Sequence, residues 1–156
     1  MTGAAAVLAP LAVVGNGVAA GIMLSTVIGV APFFLALPYE RYVQAVQFMQ
    51  PRFDPIMPLT NGGVLVLDAV LAFTSDSGTA RATFAVAAVL LAAVIAISVT
   101  RNVPVNKYVL ALDPRHTPED WERTDPRRRW RLWNAIRTSL CLAAFAVNAA
   151  TAVSLA

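Results

Sequence analysis

Histidine and cysteine are nearly absent: among 156 residues, His116 and Cys141 are the single examples of each. A lone cysteine closes no intramolecular disulfide. His116 stands between Arg115 and Thr117, and one histidine excludes bis-histidine haem. No His, Cys or carboxylate cluster has metal-ligand spacing, so neither a metal nor another cofactor is expected. Charge is scarce too, at 13% of residues against about 25% in an average soluble domain. A glycine-rich phosphate loop, a nucleophile–base pair and nucleic-acid motifs are all missing. Arg41 is the first Lys or Arg along the chain. The first apolar stretch therefore lacks the basic flank of a cleaved signal, and it is expected to be retained.

What is present is apolar surface, with 58% of residues hydrophobic. A soluble chain of roughly 150 residues buries only about 70% of its surface on folding, so a bilayer is the expected solvent. Four apolar segments approach or exceed the ~20 residues that cross a hydrocarbon core about 30 Å thick. Backbone polar groups in lipid must bond within their own segment, which leaves helix as the spanning form. The short alternating strands of a barrel do not occur. The sequence predicts an all-α, four-helix transmembrane bundle forming one domain over residues 1–156. Its helices fall at approximately 11–36, 56–73, 82–100 and 132–155, with loops at 37–55 and 101–131.

Charge predicts orientation. Arg81 alone of the twelve basic residues lies between helices two and three. The rest fall in loops one and three or at the start of helix four. The positive-inside rule puts those loops in the cytoplasm and both termini outside, in the cytoplasmic (inner) membrane. Anionic headgroups then account for the basic excess, and no nucleic-acid partner is needed.

Helix one carries Gly17, Gly21, Ser25 and Gly29 at spacing four. Such a stripe admits a close helix neighbour, within the chain or through Gly17 and Gly21 in a homo-oligomer, or else walls a flat cavity. In loop one, Pro38 marks a helix start and Pro51 a stop, predicting a short surface helix with Tyr39 and Tyr42 at headgroup depth. In loop three, Thr117-Pro118-Glu119-Asp120 has the form of a helix start. Asp125-Pro126 repeats it and is expected to open the helix that becomes helix four.

All three tryptophans and all three tyrosines lie on the predicted cytoplasmic side, whereas an anchoring belt normally marks both interfaces. On a helix Trp130, Trp133, Asn134 and Arg137 share one face. Arg137 is the deepest basic group. It either snorkels to the interface or faces the bundle and meets an acceptor. Near the end of helix three, Asn102 and Asn106 flank Pro104, which lacks an N–H and displaces the carbonyl of Thr100. The two asparagines either satisfy the freed carbonyls or converge with Asn134 and Arg137 in a polar pocket.

The pattern N-x-P-x-N, a tryptophan-bearing polar loop, and W-x-x-x-N-x-x-R entering the last helix resembles the small anthrone-oxygenase-like membrane proteins. Here those residues are Asn102, Pro104, Asn106, Trp121, Trp130, Asn134 and Arg137; AAGIM, Pro32 and FMQPRFDPIMP fit as well. The resemblance covers nearly the whole chain. It implies oxidation of anthrones to anthraquinones by O₂ in polyketide secondary metabolism, without metal or organic cofactor, although most bacterial relatives have no assigned activity. Some fungal members carry histidine near the positions of Asn134 and of Gln50, and this chain has none there. The expected roles are Arg137 as electrostatic stabiliser of a substrate oxyanion, with Asn134 beside it as the second catalytic residue. Asn102, Asn106 and Gln50 are expected to orient a small hydrophobic or aromatic substrate, with Trp130 and Trp133 stacking on its ring. No base is identified. The alternative is a non-catalytic protein that binds a lipid or hydrophobic ligand, or scaffolds a partner enzyme. Separately, Asp68 lies inside helix two, where a carboxyl marks a functional site or a protonated group bonded to Asn16 and Asn148.

Overall fold

The computed structural model describes residues 3–155, and all elements found there are helical. In chain order they are α1 (Gly3–Ser25), a π-helical turn (Thr26–Val30), α2 (Ala31–Ala36), α3 (Tyr39–Phe53) and α4 (Ile56–Thr74). Then follow α5 (Gly78–Ile97), a second π turn (Ser98–Asn102), α6 (Val103–Leu110), α7 (Trp121–Thr124) and α8 (Arg127–Leu155). Four helical rods are long and apolar enough to cross a membrane. This is a multi-pass, all-α membrane bundle. α1 packs on α4 and α8, and α5 packs on the same two, closing a four-membered ring.

The bundle is inverted relative to a soluble protein. Val14, Ile28, Leu59, Phe73 and Val89 are exposed on its outer surface, where a bilayer is the only solvent that tolerates them. Inside, α1 contributes Ala9, Ala12, Asn16 and Ala19, and α8 contributes Asn134, Thr138, Cys141, Ala144, Asn148 and Thr151. Small side chains let the backbones close up, and amides join them, because hydrocarbon offers no hydrophobic drive between helices. Gly15 is the tightest approach: a Cβ there would lie 2.8 Å from a methyl of Val64. Gly17 meets the ring of Phe145 on α8, while Gly21 faces open space.

Several boundaries depart from expectation. α1 begins at Gly3 rather than near residue 11, since its alanines are the best helix formers. Pro51 does not stop α3, which runs on to Phe53. Helix three continues past Asn102 to Leu110, so much of the expected loop 101–131 is helical. The start expected at Thr117 is delayed, and α7 is one turn beginning at Trp121. α8 begins directly after Pro126, with Asp125 Oδ1 accepting from the Arg127 N–H at 3.0 Å. Its 29 residues span about 44 Å at 1.5 Å each.

Tyr39 and Tyr42 do not project outward from α3. They are buried, with Trp121 edge-on to Tyr39 at 4.7 Å between ring centroids and Phe34 edge-on to Tyr42 at 5.4 Å. Arg127 ties this cluster to the bundle. It pairs with Asp125 at 2.6 Å and caps the carbonyls of Phe34 and Leu37 at 3.0 and 2.7 Å. The end of the first rod is thereby fixed to the start of the last.

A cavity bounded by two widened helical turns

Both π turns precede a proline by the same interval. The first ends at Val30 with Pro32 following, and the second ends at Asn102 with Pro104 following. In each, the next residue bonds five back: Ala31 N–H to Thr26 O, and Val103 N–H to Ser98 O. A proline ring clashes with the carbonyl four residues before it and supplies no donor, and one widened turn relieves that conflict. Thr100 shares the load, its hydroxyl donating to Ala96 O at 2.7 Å.

The first residues of the two turns, Thr26 and Ser98, are bridged by one pair from α8. Asn134 Nδ2 donates to Thr26 Oγ1 at 2.8 Å. Arg137 donates to Asn134 Oδ1 through Nε and Nη2, at 3.1 and 2.8 Å, and through Nη1 to Ser98 Oγ at 2.9 Å. Arg137 thus faces the bundle and does not snorkel. All its protein partners are neutral. The ion pairs among the described residues are His116–Asp113, Arg123–Asp120 and Arg127–Asp125, so its charge is uncompensated.

That charge lines a cavity of about 170 Å³. Met23, Phe34, Met57, Ile95 and Val103 supply apolar wall. Asp54, Pro58 and Val99 line it and are also exposed outside. The cavity therefore opens where the start of α4 faces the second π turn. Trp130 borders it, with its indole N–H donated to Asn106 Oδ1 at 2.9 Å and its ring 5.9 Å from Phe34. Asn102 is buried behind that wall, donating weakly to Trp130 O at 3.4 Å.

A sequence family described as anthrone oxygenase matches residues 52–147, from the end of α3 through most of α8. The chain belongs to the anthrone oxygenase family. No curated protein and no solved structure matches it. The family segment contains Trp130, Asn134 and Arg137 together with Asn102 and Asn106; Thr26 lies outside it.

Of the residues singled out from the sequence, Gln50, Asn106, Trp130 and Arg137 line this family member's cavity, and Asn134 holds Arg137 in place. Asn102 acts one layer behind. Trp133 stands apart, its ring under the Arg101 guanidinium at 4.9 Å. Three residues along a helix turn it about 60° away from Trp130, because the repeat is 3.6. Thr26, Ser98, Asp54 and Asn61 belong to the lining and were not anticipated. Among the described residues no three His, Cys, Asp or Glu side chains group as metal ligands.

The other intramembrane polar group is distinct. Asp68 and Asn148 are fully buried, and Asn148 Nδ2 donates to Asp68 Oδ2 at 3.1 Å. Asn16 does not join them as expected. Its Oδ1 accepts from Cys141 Sγ at 3.4 Å, about two turns of α8 closer to the cavity than Asn148. Asp68 Oδ1 and Asn148 Oδ1 have no partner among the described residues, and a proton on the carboxyl supplies a donor where two acceptors are left over.

Proposed function

We propose that the cavity binds a planar, polycyclic phenolic substrate of the anthrone type and directs its oxidation by O₂ to the quinone. The observation that carries this reading is Arg137: a guanidinium inside a membrane bundle, lining an apolar cavity, with neutral partners alone. Holding such a charge in hydrocarbon costs about 2.5–3.5 kcal/mol on insertion scales. Asn134 and Ser98 offset part of that, and an anion in the cavity offsets the rest.

An anthrone becomes that anion when it loses a methylene proton and its carbonyl oxygen takes the charge. Preorganised donors aimed at a developing oxyanion are the largest single contribution in many enzymes, and losing one lowers turnover by about 10²–10³. Arg137 stabilises the enolate, which then supplies the electrons for O₂. Asn134 fixes the guanidinium. Trp130 and Phe34 flank the ring, and Gln50 and Asn106 orient it. Under this reading the basic end of the bundle faces the cytoplasm.

The test is O₂ uptake on a simple anthrone by chelator-treated membranes, measured against spontaneous oxidation. The parent exceeds background. Arg137→Ala falls to about 1% or less of the background-corrected parent rate, and Arg137→Lys is also impaired, because an ammonium lacks the planar fork that spans Asn134 and Ser98. Equal rates in the parent and the lysine variant overturn the assignment of Arg137. A parent rate no higher than background overturns the oxygenase reading.

A further inference from the structure

We propose that Asp54 is the general base of this reaction, an inference that rests on the oxygenase reading of the cavity. Among the residues lining the cavity Asp54 is the one carboxyl. The other polar groups are spoken for or cannot take a proton. The Thr26 and Ser98 hydroxyls donate to Met23 O and Val94 O, both at 2.7 Å, while accepting from Asn134 and Arg137. Gln50, Asn61 and Asn106 are amides, and Trp130 is a donor only. His116 is remote, exposed in the third loop and bonded to Asp113 at 2.9 Å.

The placement of Asp54 suits the task. It ends α3, its backbone N–H bonded to Gln50 O at 3.0 Å, and Pro55 begins the turn into α4. Gln50 Nε2 donates to Asp54 Oδ1. Oδ2 carries no bond to the described residues, and no cation pairs with the carboxylate. Asp54 is exposed at the mouth, whereas Arg137 lies at the inner end, beside buried Asn134. In an anthrone the carbonyl oxygen and the methylene carbon sit on opposite edges of the central ring. A ring that enters oxygen-first presents its oxygen to Arg137 and its methylene to Asp54.

The steps balance. Asp54 Oδ2 takes one methylene proton, and the C–H electron pair moves to the carbonyl oxygen as enolate. The enolate passes one electron to O₂, and the radical pair combines to form a C–O bond at the same carbon. The peroxide takes the proton back from Asp54. Asp54 then removes the second hydrogen of that carbon as the O–O bond breaks and C=O forms. The departing hydroxide collects this proton as water. In sum, anthrone and O₂ give anthraquinone and H₂O.

Proton removal can be read without O₂. Anaerobic membranes in D₂O are given a simple anthrone, and deuterium entering its methylene group is followed by mass spectrometry. The parent accelerates exchange above the spontaneous rate. Asp54→Asn lowers that acceleration by about 10²–10⁴-fold, the usual contribution of a positioned base, and Asp54→Glu retains a measurable part. What remains in the asparagine variant rises about tenfold per pH unit, as hydroxide replaces the carboxylate; a merely structural role leaves the parent's pH profile unchanged. Asp54 is exposed and bonded through its side chain to Gln50, so both variants fold. An Asp54→Asn protein that exchanges and turns over like an active parent overturns the base and leaves the oxygenase reading standing. A parent that neither exchanges nor consumes O₂ above background removes both.

Discussion

Asn148 satisfies one oxygen of Asp68 and leaves its own Oδ1 unbonded, deep between α4 and α8. Asn148→Ala strips the carboxyl of its donor and is expected to lower stability by about 1–3 kcal/mol, the penalty for a stranded buried polar group. The double variant Asp68→Ala/Asn148→Ala loses less than the sum of the two singles, since removing both partners strands neither. Thermal unfolding in detergent micelles reads the coupling, and additive singles contradict it. At the cavity, Trp130→Phe keeps the ring against Phe34 and loses the 2.9 Å bond to Asn106. That bond is worth about 0.5–1.5 kcal/mol. The variant should raise KM for an anthrone more than it lowers kcat. Arg137, Asn134 and Trp130 were legible in the sequence because helical spacing puts them near one face. Thr26 and Ser98 were not. A hydroxyl in an apolar helix ordinarily back-bonds to its own carbonyls, and nothing in the sequence says that it also accepts from a helix 108 residues away, as Thr26 does, or 39 residues away, as Ser98 does.

The two prolines act through their elements. Pro32 and Pro104 each force a widened turn two residues upstream, and those turns carry Thr26 and Ser98 to α8. Pro104→Ala lets the third rod return to regular helix. That change rotates Ser98 and Asn106 relative to each other, so turnover should fall while the melting temperature holds or rises. A variant with full activity shows that the second π turn is dispensable. The contact of α1 with α4 is equally local. Gly15→Ala places a methyl 2.8 Å from Val64 Cγ2, and overpacking of this kind costs about 1–3 kcal/mol. Adding Val64→Ala relieves it, whereas Gly21→Ala, facing open space, leaves stability unchanged or slightly improved. Unfolding of the three variants separates these outcomes. The sequence marked Gly17 and Gly21 through their spacing, yet the glycine with the tightest contact is Gly15, against a side chain of α4. Spacing along one helix does not state which register its neighbour adopts.

For the whole molecule, the outer surface is apolar and the interior carries amides, a carboxyl and a guanidinium. This inversion places all four rods in lipid, and it leaves Cys141 fully buried. A cysteine-labelling experiment therefore needs no background correction. Ser77→Cys lies in the turn between α4 and α5, and His116→Cys lies in the loop between α6 and α7. Both positions are exposed. An impermeant maleimide applied to intact cells should label Ser77→Cys, and His116→Cys only after the cells are opened. The reverse pattern places the basic end outside and contradicts the orientation drawn from charge.

Composition and hydropathy alone determined the bundle: too much apolar surface for water, segments of spanning length, and a backbone that must bond to itself in lipid. Helical periodicity was enough to set Trp130, Asn134 and Arg137 close to one face. The cavity was a matter of tertiary structure. It depends on where α8 meets the two widened turns and on the corner that brings Asp54 to the mouth. Those are contacts between residues far apart in the chain, whose register is set by side-chain packing across the bundle and is written in no single helix.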